Sequence, residues 1–417
     1  MLRADCESKL QEDLSLGAAV TPKYARTAPI HNWFLFPHSF SPQLVYWLLE
    51  QLAVPKGGLV YDPFVGAGTT LLACKERSVS AVGADTLPLS VFVSNVKVRD
   101  YEVSALREDL ATVSFECERD TPSRFADIPI VPRAFDEDSI KRISAVCDAI
   151  QSVESQTHRD LLLLGLLSIL TRVSRTARDG GWLRLLDSSE HGSGDIIDLF
   201  LGRIEEMLSQ LETVPRRDAD GLSWEAYVAD ARAEDPAVQA DAVISSPPYP
   251  NRHDYTRIFS LELALAFVED QEALKRLRYE SLRSHVEARP PATASCHDFC
   301  QPDVLRTTLK ELARSCQDTR VTQMVSGYFE DMYAVLRAIV AKLKPGGSVA
   351  FVLGNTRHAG VLVPVDIIVA ALGESVGLKL EGITAVRYRG NSAQQMGRHG
   401  RVPARESVVV WKRCQPN

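Results

Sequence analysis

The sequence predicts an α/β fold built around a parallel sheet, and three observations lead to that prediction. A strand, a glycine-containing turn, a helix and a second strand follow one another within about 30 residues, which is a βαβ unit and requires parallel strands. Strand-like segments return near the end of the chain, and the long stretch between reads as mostly helical. We therefore expect one sheet, assembled from early and late segments, with a mainly helical insertion between them.

The early part of the sheet is the most sharply defined. The apolar run GLVYDPFV, at 58–65, has the composition of a buried strand and ends in a turn that contains glycine. A helix is predicted from Thr69 to Arg77. The next strand, VSAVGAD, ends at Asp85. These elements together form the βαβ unit.

Four later segments complete the predicted sheet: DAVISS at 241–246, GSVAFVLGN at 347–355, LKLEGITAV at 378–386 and ESVVVWK at 406–412. Before the second of these, YFEDMYAVLRAIVAKL has apolar residues at helical spacing. The sequence Lys344-Pro345-Gly346-Gly347 follows and predicts that the helix ends there.

Two insertions interrupt this sheet. Residues 101–224 contain strongly helical segments, such as SIKRISAVCDAIQSV and RDLLLLGLLSILTRVSR, and are predicted to form a helical insertion that is a candidate for recognising the target. A smaller, charged helical insertion is predicted at 270–325. The sheet domain would then comprise 1–100 and 225–417.

The composition is that of an ordinary soluble globular protein, with 45% hydrophobic and 24% charged residues. The formal net charge is −7, so binding to a nucleic acid would require locally concentrated positive charge. No uninterrupted apolar run of about 18 residues predicts a membrane span. The first residues lack a signal-peptide pattern, so we expect a cytoplasmic protein that works beside the nucleoid.

The cysteines give no prediction of a metal site. Eight cysteines are scattered without a repeated spacing, as in a reduced intracellular protein. Cys296, His297 and Cys300 have the spacing of half a zinc site, but no second Cys/His pair follows at a suitable distance. We therefore predict ordinary thiols and no bound metal.

A glycine-rich loop lies between the first strand and its helix, in the segment Asp62-Pro63-Phe64-Val65-Gly66-Ala67-Gly68-Thr69-Thr70. Its glycines allow a tight turn and a close approach by a ligand, and the helix that begins near Thr69 offers free N–H groups. Asp85, at the end of the next strand, is placed to accept hydrogen bonds from ribose hydroxyls. A dinucleotide loop would have a third glycine, and a phosphate-binding loop would have a lysine. The pattern therefore favours a different nucleoside cofactor.

A second motif, Ser246-Pro247-Pro248-Tyr249, follows directly after the strand DAVISS. Two prolines extend the backbone and leave carbonyl groups without partners, so these can accept hydrogen bonds from an amino group. An exocyclic base amine is a poor nucleophile because its lone pair is delocalised into the ring. Acceptors at Ser246 and at the Pro247 carbonyl would position it for attack on a methyl group, and Tyr249 offers a ring on which a flipped base can stack.

Together, DPFVGAGTT and SPPY resemble the cofactor and catalytic motifs of the DNA amino-methyltransferases, which make N4-methylcytosine or N6-methyladenine. The resemblance covers roughly 30–100, 225–265 and 325–412, and does not extend to the middle insertion. It implies a Rossmann-like class I methyltransferase sheet and S-adenosyl-L-methionine as the cofactor. It also implies direct transfer to a base swung out of DNA.

The resemblance also assigns residues to the cofactor. The loop residues would line its methionine and ribose end, Asp85 would bind the ribose, and Asp230 would lie near the adenine ring. The segment at 36–52 resembles the helical element that closes over the cofactor, although a plain packing helix is the alternative reading. The complete cofactor set is Phe40, Ser41, Asp62, Pro63, Phe64, Gly66, Gly68, Thr69, Thr70, Asp85 and Asp230.

Ser at the first position of SPPY is more typical of the cytosine enzymes, whereas Asp or Asn is commoner among the adenine enzymes. We therefore predict N4-methylation of cytosine, with N6-methylation of adenine as the alternative. The order of the motifs, with the cofactor motif first, fits members whose recognition domain is inserted between the two motifs. The closing segment 387–412 also resembles the terminal hairpin of cytosine-type members.

Positive charge is concentrated near the end of the chain, where residues 385–415 contain seven Arg or Lys residues and one acid, Glu406. Such a loop beside the catalytic sheet would neutralise DNA phosphates. Residues 251–254, directly after the catalytic motif, should rim the base pocket, with His253 unsuited to act as a general base. The predicted DNA-binding residues are Arg252, Arg387, Arg389, Arg398 and Arg401.

Three features stay open at this point. A second basic stretch, Lys275 to Arg289, is either a DNA contact or a solvated face. The segment SRTARDGGWLRL, at 174–185, reads as an exposed loop of the recognition domain or as one whose tryptophan packs a core. The sequence also leaves open whether the chain dimerises or has a restriction or defence partner.

Two rival functions remain. An RNA methyltransferase would usually have an acid before the two prolines and an added RNA-binding module. A DNA-recognition subunit without activity of its own would not need an intact SPPY motif. Neither description fits the sequence as well as a DNA methyltransferase does.

Overall fold

The computed structural model describes residues 8–115, 122–179, 181–186, 195–215, 220–233, 238–289, 298–390 and 403–414. In chain order its strands are β1 (Leu10–Glu12), β2 (Leu59–Asp62), β3 (Ser80–Asp85), β4 (Thr176–Asp179), β5 (Trp182–Leu185), β6 (Trp224–Val228), β7 (Ala240–Ser245), β8 (Leu343–Gly354), β9 (Thr356–His358), β10 (Val361–Val363), β11 (Leu378–Arg389) and β12 (Ala404–Arg413).

Eight of these strands form one sheet in the order β1-β11-β12-β8-β7-β2-β3-β6, and the others form the hairpins β4–β5 and β9–β10. The five central strands, from β8 to β6, are parallel to one another, and β12 is antiparallel to both of its neighbours. The chain proceeds from β2 outward to β6 and then returns to the other side of β2 with β7. The order therefore reverses between β2 and β7, which is where open α/β sheets bind ligands.

The helices in chain order are α1 (Pro42–Gln51), α2 (Thr69–Glu76), α3 (Pro88–Val98), α4 (Val103–Thr112), α5 (Val131–Ala134), α6 (Glu137–Ser152), α7 (Gln156–Val173), α8 (Ile196–Thr213), α9 (Tyr255–Ile258), α10 (Ser260–Ala266), α11 (Gln271–Glu280), α12 (Asp303–Ser315), α13 (Thr319–Lys342) and α14 (Val365–Ser375). Several begin at an N-cap side chain, as α6 does at Asp136 and α8 at Asp195.

Helices cover both faces of the sheet, and each face has its own hydrophobic core. Successive residues of a strand point to opposite faces, so Val60 packs with the core that includes α1–α8, and Tyr61 with the core that includes α12–α14. Because apolar side chains of both faces are buried, the central strands read as continuous hydrophobic runs. This arrangement confirms the predicted α/β fold.

The helices between β3 and β6 pack in the same core as α1–α3, so that core is continuous from the sheet into the middle of the chain. The division into a sheet domain and separate insertions stays a prediction. Among the described helices, none is long and apolar enough to cross a membrane.

The predicted end of the long helix is confirmed, because α13 stops at Lys342. The strand that follows begins earlier than predicted, at Leu343, so the Lys-Pro-Gly-Gly segment is part of β8. A register shift in the β7–β8 pairing and the positive φ of 76° at Gly346 accommodate the proline and the glycines there.

Candidate active site

The two predicted motifs meet at the carboxyl edge of the sheet. Asp62 ends β2, and Ser245 ends the neighbouring β7, directly before the Ser-Pro-Pro-Tyr segment. The Ser245 hydroxyl donates a hydrogen bond of 2.6 Å to Asp62 Oδ1. The motifs are 183 residues apart in the sequence, and the parallel pairing of β2 with β7 is what brings them together.

The glycine loop has the tight geometry expected of it. Gly66 and Gly68 have φ values of 48° and 75°, in the region that favours glycine. A Cβ at Gly68 would lie 2.8 Å from Ser94 Cα, so this glycine lets the loop pack against α3. The Gly66 N–H donates to Asp85 Oδ2 at 3.1 Å, which links the loop to the end of β3.

A buried lysine, Lys97, hydrogen-bonds to the glycine loop. The Lys97 Nζ, on α3, donates to the carbonyls of Ala67 at 2.9 Å, Phe34 at 2.7 Å and His31 at 3.0 Å. One side chain thus connects the glycine loop to the segment that precedes α1. Nothing in the sequence pattern distinguishes this lysine from a solvated one.

A cavity lies over these strand ends. Residues of both motifs line it together with the segment before α1. The predicted site residues among its walls are Phe40, Asp62, Pro63, Phe64, Gly66, Thr69, Asp85, Asp230, Ser246 and Pro248. A single cleft therefore joins the predicted cofactor loop and the predicted catalytic loop.

Other predicted residues lie behind the walls of this cavity. The Ser41 hydroxyl is buried, donates to the Thr21 carbonyl at 2.5 Å and accepts the N–H groups of Tyr24 and Ala25. Thr70 is fully buried, and its hydroxyl lies 3.5 Å from the Ile244 carbonyl. Gly68 and Pro247 are buried as well. The structure places these four residues where they shape the loops that form the cavity.

The Asp62 carboxyl is almost completely buried, and its pKa is raised to about 6, chiefly by burial. Hydrogen bonds from Ser245 and from the Phe64 N–H oppose that rise. Burial also raises the pKa of Asp85, whose oxygens accept the N–H groups of Gly66 and Leu87. Two carboxyl groups therefore face the cavity in an environment that disfavours uncompensated negative charge.

The Asp230 carboxylate also lines the cavity, and the Arg232 side chain hydrogen-bonds to this carboxylate. The Arg232 guanidinium donates from Nε to Oδ1 at 2.9 Å and from Nη2 to Oδ2 at 2.6 Å. Arg232 Nη1 lies 3.2 Å from buried Asp331 on α13. This network fixes the orientation of Asp230 at the rim.

Tyr249 lies beside the cavity, against the end of the sheet. Its ring packs on Gly354, where a Cβ would lie 2.5 Å from Tyr249 Cε2, and the Arg389 guanidinium is 5.4 Å from the ring centroid. Its hydroxyl donates to Glu406 Oε1 at 3.2 Å. Burial raises the pKa of this phenol, so it remains protonated.

Glu406, the one acid of the basic segment, joins the end of the chain to the catalytic motif, a role that the sequence pattern does not indicate. It is buried, and its carboxylate lies 3.5 Å from Arg387 Nη1 and 3.7 Å from Arg389 Nε. Two predicted DNA-binding arginines therefore converge on the carboxylate that Tyr249 also contacts. Arg398 and Arg401 lie outside the described residues.

The segment after Tyr249 forms one wall of the cavity, as predicted for His253 and Asp254. The His253 ring stacks on His38, with 4.3 Å between the ring centroids. Burial, together with nearby His38, lowers the pKa of His253 to about 3, so this imidazole is neutral at physiological pH. Arg252 is exposed and adopts a positive φ of 72°, with its N–H donating to the Ser284 carbonyl at 3.1 Å.

Part of the second basic stretch also reaches the cavity, which the sequence pattern did not reveal. The additional wall residues, beyond those predicted, include Phe36, His38, Tyr255, Leu277, Ser281, Leu282, Ser284 and His285. Phe36 and His38 belong to the segment at 36–52 that the resemblance already linked to the cofactor, whereas the residues from Leu277 to His285 belong to no predicted motif. The packing of α11 and its following turn against the catalytic segment brings Leu277, Ser281, Leu282, Ser284 and His285 to the site.

The described residues contain no group of three or more His, Cys, Asp or Glu side chains arranged to hold a metal. Of the three residues with the spacing of half a zinc site, Cys300 is exposed. The other two, Cys296 and His297, lie outside the described residues.

Comparison with known proteins gives relatives along almost the whole chain. The Type II methyltransferase M.BsoBI from Geobacillus stearothermophilus is 29% identical over 445 residues, covering 92% of this chain and 86% of that protein. The Type II methyltransferase M.AvaI from Nostoc sp. is 27% identical over 441 residues, covering 97% of this chain and 90% of that protein. No protein-family model matches the chain.

Among solved structures, the rRNA methyltransferase aviRa from Streptomyces viridochromogenes matches with a TM-score of 0.30 and 10% identity, covering 89% of this chain and 85% of that one. A likeness this low carries no conclusion about the chain. The similarity to the Type II enzymes is informative, because it spans both motifs and the sheet that joins them. This similarity to Type II methyltransferases over almost the whole chain supports a DNA methyltransferase family for it.

Proposed function

We propose that this chain methylates the exocyclic N4 amine of cytosine in DNA, using S-adenosylmethionine as the methyl donor. The observation that carries the proposal is the single cavity shared by the glycine loop and the Ser-Pro-Pro-Tyr loop, joined by the hydrogen bond from Ser245 to Asp62. A cofactor and a base bound at these two loops would lie side by side, as direct transfer requires.

The residues present fit the cofactor. The walls offer aromatic side chains, Phe40 and Phe64, for a nucleoside, and the carboxyl groups of Asp62 and Asp85 for cationic and hydroxyl groups. In its ionised form Asp62 would hold the positively charged methionine end. Asp85 would accept from the ribose, and Asp230 would lie near the adenine. When bound, S-adenosylmethionine would supply a methyl group on a sulfonium, and the C–S electron pair would leave with sulfur as a neutral thioether.

Ser246 and Pro247 would position the base amine. The Ser246 hydroxyl makes a long hydrogen bond of 3.4 Å to the Val352 carbonyl, which directs its proton toward the sheet. Its oxygen lone pairs then remain to accept from an amino group, and the Pro247 carbonyl would be a second acceptor. Two acceptors would draw the amine lone pair out of conjugation with the ring.

His253 would not remove the proton, because its imidazole is a neutral, buried ring stacked on His38 and has a weakly basic nitrogen. The methylated amine is acidic enough to lose its proton to solvent at the mouth of the cavity. The chain's contribution to the rate is therefore position and hydrogen bonding, and does not depend on a strong base.

We assign DNA binding to the surface around the mouth of the cavity, with Arg252, Arg387 and Arg389 as contacts for phosphates. The helical segments of 101–224 and of 270–325 would contribute to target recognition around it. A cytoplasmic, nucleoid-associated enzyme with a restriction or defence partner belongs to the same proposal, and no surface is assigned to that partner.

The experiment that tests the proposal is transfer of labelled methyl groups from S-adenosylmethionine to unmethylated DNA, with nucleoside analysis of the product. Ser246→Ala is the matched variant, because it removes one oxygen from the cavity wall. N4-methylcytosine that disappears in the variant, with cofactor binding retained, supports the proposal. N6-methyladenine would overturn the assignment of the base, and transfer only to RNA would overturn the substrate.

A further inference from the structure

One large aromatic side chain is exposed near the cavity. Trp182 is 58% exposed, whereas Trp33 and Trp411 are fully buried and the other two tryptophans, Trp47 and Trp224, are half-buried. All five tryptophans lie within the described residues. The exposed indole offers a flat aromatic surface next to the cavity on which a base can stack.

Trp182 begins β5, and its direction follows from the alternation along that strand. Leu183 and Leu185 are half-buried, and Leu183 packs against the hydrophobic core, whereas Trp182 and Arg184 are exposed. The β4–β5 hairpin therefore has an inner face that holds it to the protein and an outer face that presents an indole and a guanidinium.

Gly181, the residue before Trp182, lies against the catalytic segment. A Cβ added at Gly181 would lie 2.8 Å from His253 Cδ2, so the backbone before Trp182 is in contact with a residue that lines the cavity. The strand β5 also packs beside α9, which continues the catalytic segment from Tyr255. Trp182 thus directly follows a residue that contacts the cavity wall.

An ion pair with a buried carboxylate holds the hairpin in this place. Arg178, on β4, pairs with the fully buried Glu262 of α10. The Arg178 guanidinium also lies 4.8 Å from the centroid of the Phe259 ring and 5.5 Å from that of Phe34. The hairpin is therefore held to the helix that follows the catalytic loop and to the segment that Lys97 anchors.

We propose that the β4–β5 hairpin is a DNA-contacting element in which Trp182 stacks on the bases beside the one that leaves the duplex. This inference rests on the proposed function, since it concerns how the same site obtains its base. Moving a base out of the duplex unstacks its neighbours, and an indole held at the mouth would replace part of the lost stacking. Arg184, on the same face, would lie toward the phosphates.

The test compares the wild-type enzyme with Trp182→Ala and Trp182→Phe on two duplexes of the same sequence. In one duplex the target base is paired, and in the other it faces an abasic site, so that little pairing energy opposes its exit. We expect Trp182→Ala to lower kcat/KM on the paired duplex by roughly tenfold, the size of one lost stacking contact, and by less than about threefold on the other. Trp182→Phe, which keeps a ring, should retain most of the activity.

Three outcomes would overturn the inference. One is equal activity of Trp182→Ala and wild type on paired DNA, which would leave the exposed indole to a protein partner. Another is an equal loss on both duplexes, because a stacking role in base extrusion requires rescue by the abasic site. The third is a lower melting temperature or a loss of cofactor binding in both Trp182→Ala and Trp182→Phe. The side chain would then have a structural role.

A direct binding measurement separates this inference from the proposed function. If the wild-type protein transfers no methyl group to any DNA, the proposed function fails. The role of the hairpin is then tested by measuring the affinity of the three proteins for duplex DNA. Weaker binding by Trp182→Ala than by Trp182→Phe still supports the contact, and equal binding by all three proteins overturns it.

Discussion

The Ser245 hydroxyl and the Asp62 carboxylate are joined by a hydrogen bond of 2.6 Å across the carboxyl ends of two adjacent parallel strands. This bond connects the last residue of β7, directly before the catalytic motif, to the first residue of the cofactor motif. It also opposes the rise in the pKa of Asp62 that burial causes. The affinity for cofactor and the geometry of the catalytic loop should therefore depend on each other.

The first prediction concerns the pH dependence of cofactor binding. With a pKa of about 6, the Asp62 carboxyl becomes protonated as the pH falls through that value and loses its attraction for the positively charged methionine end. The dissociation constant for S-adenosylmethionine, measured by calorimetric titration, should be constant above about pH 7 and should rise roughly tenfold per unit below about pH 6. Asp62→Asn should bind weakly at every pH, and a pH-independent affinity of wild type from pH 7 to 5 would contradict the assignment.

The second prediction follows from the hydrogen bond itself. Ser245→Ala removes a donor that stabilises the ionised carboxylate, so the pKa of Asp62 should rise further. The midpoint of the pH dependence of cofactor binding should therefore move upward from about 6, while the affinity at high pH changes less. The same titrations, made with Ser245→Ala beside wild type, measure the shift. A midpoint that stays in place or moves downward would show that the bond does not set this pKa.

The third prediction concerns His253. Because burial holds the pKa of its imidazole near 3, His253 is neutral from pH 5 to 9 and contributes no ionisation to the rate in that range. At saturating cofactor and DNA, the pH profiles of kcat for wild type and His253→Asn should have the same shape, with a lower rate in the variant because its stacking on His38 is lost. If the wild-type kcat instead fell on one side of about pH 6.5, and this pH dependence were absent in His253→Asn, His253 would be identified as a general base.

The fourth prediction tests Lys97 as the support of the glycine loop. Lys97→Met leaves three buried carbonyls without a donor, and the free energy of unfolding should fall by about 3 kcal/mol, with cofactor affinity reduced more than tenfold. Lys75→Met is the matched control. Lys75 is also buried on this side of the sheet, but it bonds to the Val98 carbonyl and to Asp100. Lys75→Met should therefore lower the free energy of unfolding but change the cofactor affinity by less than about threefold. Denaturant titration and calorimetry measure the two effects, and equal losses of affinity would refute a local role for Lys97.

The fifth prediction separates the two arginines on β11. Arg387 is the more exposed, and Arg387→Gln should reduce the salt dependence of DNA affinity by about one phosphate contact without changing kcat. Arg389 also lies over the Tyr249 ring, so Arg389→Gln should lower kcat as well. DNA affinity across a salt series, together with single-turnover rates, distinguishes the two. Identical behaviour of the two variants would mean that Arg389 does not support Tyr249.

The sequence predicted the central elements of the fold because their determinants are local. The apolar run before Asp62, the glycines of the loop and the helix that begins at Thr69 each follow from backbone preferences within a few residues. Both motifs were found in this way, and both lie at strand ends on one cavity. The resemblance placed Thr70 and Ser41 on the cofactor, which stays a prediction, and in the structure their hydroxyls bond to buried backbone behind the cavity wall. A motif identifies a loop, but it does not show which way each side chain of that loop points.

The sequence by itself therefore determined the α/β class, the two loops and the kind of chemistry they suit. Only the tertiary structure decided which distant residues complete the site. It placed Glu406 against Tyr249, carried Leu277 and Ser284 into the cavity wall, and set the Gly181 turn and exposed Trp182 beside His253. Such contacts depend on how helices and strands pack after they form. A packing contact between residues far apart in the chain leaves no periodicity or spacing that a single sequence displays.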